Sequence, residues 1–98
     1  MIVRVLATAR SALVAGYWFY EEQQAGLGGY YLASIYADLA RLEHVAGVHR
    51  RISGGHHRMI ARRFPFAIYY RMNGHTAEVR AILDCRRSPD WIARQLRR

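Results

Sequence analysis

The stretch RRFPFAIYYR, residues 62–71, constrains the fold of this chain more than any other. Phe64, Phe66, Ile68 and Tyr70 fall on one side of a period-two pattern, and Arg63, Ala67, Tyr69 and Arg71 fall on the other. This predicts a strand with one face in a core and one available as a working surface. Pro65 has no N–H to give to a ladder, so it belongs where the strand begins. At Asn73-Gly74 the pattern stops, and that dipeptide tolerates the positive φ angles of a two-residue hairpin turn. A second strand, Thr76 to Asp84, is then expected to return beside the first, with Val79, Ala81 and Leu83 on one face and Arg80, Ile82 and Asp84 on the other.

The flanking segments read as partners for this hairpin. Ile2 to Leu6 is short and β-branched, a first strand. Thr8 or Ser11 is placed to cap a helix from Ala9 to about Gln24, with Leu13, Gly16, Tyr17 and Tyr20 at helical spacing and Val14 and Trp18 broadening the apolar stripe. The glycines of Ala25–Gly29 end that helix, and a second runs from about Gly29 to Val45 on Leu32, Ile35, Leu39 and Leu42. An antiparallel helical hairpin covering the sheet follows. Tyr30, Tyr31 and Tyr36 exceed what a small core needs, so some of them should lie at the surface or line a groove. After a Gly-, His- and Arg-rich loop from Gly47 to Gly55, His56–Arg63 reads as a strand in which Met59 and Ala61 alternate with Arg58, Ile60 and Arg62. Ser88-Pro89-Asp90 starts a short helix, Pro89–Leu96, that docks through Trp91, Ile92 and Leu96. The expected fold class is α+β: strand, helical hairpin, three-stranded antiparallel meander and short C-terminal helix, in a single domain over residues 1–98.

Charge narrows the chemistry. The 98 residues hold 15 basic side chains, all arginine, against 7 acidic ones, a formal net charge of +8 that favours polyanionic or acidic partners. Without lysine there is no Schiff base, and proton transfer is left to His, Tyr, Asp, Glu or an unusual Arg. Cys85 stands alone, which excludes an intramolecular disulfide, fits a reducing compartment and reads as a small buried residue. Arg4 and Arg10 break the N-terminal apolar run, and no stretch reaches the roughly 20 apolar residues of a membrane span, so a cytoplasmic protein without a membrane partner is expected. His56 and His57 are adjacent, which turns them to opposite faces of a strand, and no other histidine pair has ligand spacing. No metal or other cofactor is expected.

Three segments together, YWFYEEQQAGLGGYYL, RRFPFAIYYR and AILDCRRSPDW, give the chain a resemblance to the ParE and RelE superfamily of toxins from type II toxin-antitoxin systems. The resemblance covers nearly the whole chain in the same order. It implies a compact α/β domain, a cognate acidic antitoxin that wraps around it in a hetero-oligomer, and the plasmid-stabilization context of such pairs. ParE-like members inhibit DNA gyrase, whereas RelE-like members cleave messenger RNA on the ribosome. The ParE-like reading is preferred, with the target met by Arg58, Arg62, Arg63, Arg71, Arg86, Arg87 and the Trp91–Arg98 segment. Tyr17, Tyr20, Tyr31 and Tyr36 on the helical hairpin, together with exposed strand edges, are the expected antitoxin contacts. As a RelE-like nuclease the chain would gather Arg58, Arg62, Tyr69, Arg71 and Arg86 around a phosphate. Arginine stays protonated, however, and Asp84 stands where many members have a histidine. Asp84 is therefore expected to pair with a neighbouring arginine, and no residue is assigned as catalytic. A basic nucleic-acid-binding module without chemistry and an inactive relative kept for antitoxin binding are the remaining readings.

Overall fold

The computed structural model describes residues 1–97, and Arg98, the end of the expected target-binding segment, lies outside the described residues. Its four strands lie in the order β1-β4-β3-β2, with β1 Ile2–Val5, β2 His57–Ile60, β3 Phe66–Asn73 and β4 Thr76–Asp84. The pairs β2–β3 and β3–β4 are antiparallel, the expected meander, while β1 joins β4 in parallel. Helices α1, Ala7–Gln23, and α2, Leu27–Val45, form the hairpin between β1 and the meander, and α3, Pro89–Leu96, closes the chain. The α+β class and the element order are those read from the sequence.

The hairpin turn sits one residue later than expected. Asn73 pairs with Thr76, so Gly74 and His75 form the two-residue loop, and Gly74 takes φ 62° as its first member. A glycine-first loop needs positive φ there and nowhere else, whereas Asn73-Gly74 would have needed it at both positions. Strand β2 is shorter than the expected His56–Arg63, because Ala61 N–H already bonds the Phe66 carbonyl and closes a tight connection that carries Arg62 and Arg63 outside the ladder. Of the arginines expected on the second strand, only Arg58 lies in it.

The expected face assignment of β4 holds only for its first half. Tyr69 pairs with Ala81 but Tyr70 with Val79, which leaves Arg80 as an extra residue, a β-bulge. Alternation restarts there. Ala77, Val79 and Ile82 therefore face the helical hairpin, whereas Ala81 and Leu83 face α3.

Helix α1 starts without the side-chain cap expected of Thr8 or Ser11. Leu6 stands at the N-cap of α1, Thr8 instead gives its hydroxyl to the Arg80 carbonyl at 2.6 Å, and Ser11 bonds back to the Ala7 carbonyl. At the start of α2, Gly26 is left-handed with φ 91°, and the Glu21 carboxylate accepts the Gly26 and Gly28 N–H groups at 3.0–3.1 Å. A carboxylate at the positive end of α2 thus ties it to α1. The seam between the helices is close because two glycines allow it. A Cβ on Gly16 would stand 2.6 Å from the Tyr31 ring, and one on Gly28 would stand 2.5 Å from the Tyr17 carbonyl oxygen.

The larger core lies between the hairpin and the sheet, around Leu13, Tyr31, Ile35, Leu42, Ile68 and Ile82. A smaller one lies on the opposite face, where Ile92 and Leu96 of α3 cover Ala67 and Tyr69. Ser88 caps α3 by accepting the Trp91 N–H at 3.1 Å, with Pro89 behind it and Asp90 in the first turn, as read from the sequence. No helix among the described residues is long and apolar enough to cross a membrane.

Candidate protein-docking site

Helix α1 carries more apolar residues than one contact can absorb. Ala9 and Leu13 reach the core, but Val14, Trp18 and Phe19 are exposed, Trp18 by 57 %. Val14 and Trp18 therefore do not widen the core stripe. With Arg10, Leu13 and Tyr17 they follow an i, i+3, i+4, i+7, i+8 spacing, which aligns them along one side of the helix. Leu32 and Tyr36 of α2, one turn apart, supply the other bank of a groove of about 320 Å³. Its surface is almost wholly aliphatic and aromatic, with Arg10 as the one charged residue among those that line it. Tyr17 and Trp18 meet edge to face, ring centres 5.0 Å apart, so the groove presents shaped aromatic surface. Exposed apolar area of this kind on a small domain marks a binding surface.

The four tyrosines expected to meet an antitoxin divide. Tyr17 and Tyr36 line this groove, and Tyr36 is 55 % exposed. Tyr31 is fully enclosed at 0 % exposure, and its phenol is pushed up to about 12 by burial, with Tyr20 adding to the effect. It packs with Tyr20, Phe64 and Phe66 at ring separations of 5.2–5.6 Å, so its place is in the core. Tyr20 borders the same aromatic cluster at its edge. Burial raises its pKa, Arg86 lowers it and Asp84 raises it.

The arginines expected on one working face are dispersed into separate contacts. Arg63 reaches the Tyr30 hydroxyl on α2 at 3.0 Å and lies over that ring. Arg62 is exposed, and its backbone N–H meets the buried Asp38 carboxylate at 3.4 Å. Arg71 donates twice to the Gly54 carbonyl, at 2.9 and 3.2 Å, and so holds the loop before β2. Arg87 stacks over Trp91 with its guanidinium carbon 4.0 Å from the ring centre. Arg86 grips Asp84 through two bonds of 2.7 and 3.0 Å, which holds the Asp84 carboxyl below the usual carboxylate range. Asp84 thus has the structural pairing expected of it.

Arg58 stands opposite Tyr69 in the β2–β3 register. Burial raises the Tyr69 phenol and the Arg58 guanidinium lowers it in part. Tyr69 is 0 % exposed beneath α3, however, so no substrate meets its hydroxyl in this arrangement. Cys85 is half-buried beside the same cluster, short of the full burial expected. Among the described residues no group of three His, Cys, Asp or Glu side chains is placed to hold a metal ion. A larger groove of about 490 Å³ runs between the start of α1, the far half of β4 and the end of α3, but it carries none of the exposed aromatic rings.

Sequence reasoning missed Val14, Trp18 and Leu32 as groove residues because it placed them in the core-facing stripes of their helices. The available signal was excess: Leu13, Val14, Tyr17, Trp18, Phe19 and Tyr20 span more of the circumference of α1 than one packing face requires.

Neither family models nor curated protein sequences match the chain. Among solved structures it is similar to a chain of the "Chromosomal ParDE TA system from P. aeruginosa", at 22 % identity and a TM-score of 0.77, over 84 % of this chain and 92 % of that one. At that identity the likeness shows the fold, and the ParE-like fold expected from the sequence is the one the chain adopts.

Proposed function

We propose that this chain is the toxin of a type II toxin-antitoxin pair, that it acts inside the cell by binding DNA gyrase, and that a cognate antitoxin silences it. The observation that carries the reading is the ParE-like fold, shared over most of both chains with a member of a ParDE system. The apolar groove of the helical hairpin is the antitoxin site. An amphipathic helix laid along Val14, Trp18 and Tyr36 would bury their exposed surface, and acidic residues flanking that helix would meet Arg10 and the field of a chain with net charge +8.

Inhibition by binding accords better with the side chains than catalysis does. A ribonuclease of this kind needs a base for the ribose hydroxyl and an acid for the leaving oxygen, within reach of one phosphate. Tyr69 is enclosed, and Arg71, Arg86 and Arg87 are each engaged elsewhere. We assign the exposed Arg62, with Arg87 and Trp91, to the gyrase contact.

The test is induction of the chain alone in a bacterium, with labelled precursor uptake into DNA and into protein followed over the first minutes. DNA synthesis is expected to fall while translation continues. Translation failing first would replace gyrase by a ribosomal target, and growth unaffected by induction would remove the toxin reading altogether.

A further inference from the structure

The loop from Ala46 to His56 carries Arg50 and Arg51, and its near half is fastened to the sheet through one buried hydroxyl. Tyr70 is 0 % exposed. Its hydroxyl oxygen accepts the Gly47 N–H at 2.9 Å. The hydroxyl proton then has His49 Nδ1, 2.5 Å away, as its acceptor. In that arrangement His49 is neutral, with its proton on Nε2.

His57 uses its Nδ1 in the opposite role. That nitrogen lies 2.8 Å from the His49 carbonyl oxygen, which can only accept, so Nδ1–H donates. Its ring stacks on Tyr70 with centres 5.1 Å apart. A proton on His49 Nδ1, by contrast, would oppose the Tyr70 O–H and compete with the Gly47 N–H for the same oxygen.

The groups facing His49 do nothing to ease that charge. They are Arg41 from α2, His57 from β2 and Tyr70 from β3, with no carboxylate among them. Burial, then Arg41, then His57 hold the imidazole below the ordinary histidine range. Further loop fastenings are made by backbone groups and a guanidinium: Arg58 N–H to the Arg50 carbonyl, Ile52 N–H to the His56 carbonyl, and Arg71 to the Gly54 carbonyl.

We propose that the His49–Tyr70 hydrogen bond is an acid-released latch: above neutrality it fastens residues 47–49 to the sheet and presents Arg50 and Arg51 in a fixed place, and on protonation of His49 it lets that segment lift. The sign follows from linkage. A histidine depressed on folding contributes stability that is complete above the ordinary histidine pKa of about 6.5 and is lost as pH falls toward the depressed value. The segment therefore loosens in acid.

The experiment is an NMR titration of the full chain from pH 7.5 to 5. The Gly47 amide resonance is expected to move with the His49 ring, at a shared midpoint below that of a free histidine. Exchange of amides 47–49, corrected for its intrinsic pH dependence, is expected to rise by about tenfold or more across the range. In His49→Asn, whose carboxamide oxygen can stand where Nδ1 stood, the Gly47 amide should stay flat. Tyr70→Phe should exchange fast at both ends of the range. A Gly47 amide that ignores the His49 ring would overturn the latch, as would a His49→Asn chain that titrates like the parent. Should His49→Asn fail to fold, co-titration in the parent chain and the Tyr70→Phe comparison still decide.

Discussion

The two faces of the sheet are covered in opposite ways. The helical hairpin packs on one face through a wide core and turns a second apolar surface outward, whereas α3 covers the other face with Ile92 and Leu96 and turns charge outward. Among the described residues fourteen buried hydrophobics belong to the first cluster and four to the second, so stability should concentrate on the hairpin side. The hairpin is therefore both the foundation of the fold and its most adhesive surface. A side chain there must be asked which way it faces before it is given a role.

Substitutions can separate these two duties, and the largest effect belongs to the inner seam. Ile35→Ala removes a fully buried side chain and is expected to cost about 3–4 kcal/mol in denaturant unfolding. Gly28→Ala, which drives a Cβ against the Tyr17 carbonyl, should cost about 2–3 kcal/mol by the same measurement, because backbone cannot yield as a side-chain tip can. On the α3 face Ile92→Ala should cost about 2 kcal/mol, and a loss equal to that of Ile35→Ala would erase the asymmetry. Trp18→Glu is expected to leave stability within about 0.5 kcal/mol and to weaken binding of the proposed antitoxin, read by calorimetry, by at least about tenfold. An unfolded Trp18→Glu chain would place Trp18 in the core after all.

The smallest effect is electrostatic. Arg86 depresses the Asp84 pKa, so their pairing contributes stability above the ordinary aspartate pKa and loses it as pH falls through the depressed value. Both side chains are partly exposed, which limits the gain. Arg86→Ala should raise the midpoint of acid unfolding slightly, and an unchanged midpoint would show the pair to be energetically silent.

Most of the architecture was legible because it rests on local rules. The limits of β4 and α3 follow from period-two patterning and from Ser88-Pro89-Asp90, which need no knowledge of distant partners. What escaped depended on tertiary contact. Thr8 caps nothing because the Arg80 carbonyl, 72 residues away, takes its hydroxyl. The arginines looked like one face in a strand diagram, yet the turn at Arg62–Arg63 and the separate partners of Arg71, Arg86 and Arg87 scatter them. Of the four tyrosines expected at the hairpin surface, Tyr17 and Tyr36 line the groove. Tyr31 could not be told from them in sequence, since only the glycine at position 16 makes room for its ring.

The extra residue in β4 also gives this chain a place where its length can change. Removing Arg80 would leave Val79 opposite Tyr70 and bring Ala81 directly after it opposite Tyr69, so the ladder closes, Ile82 stays in the main core and Ala81 and Leu83 stay on the α3 side. What would go is the local bend and the carbonyl that takes the Thr8 hydroxyl. A one-residue deletion there would reach selection as a folded protein.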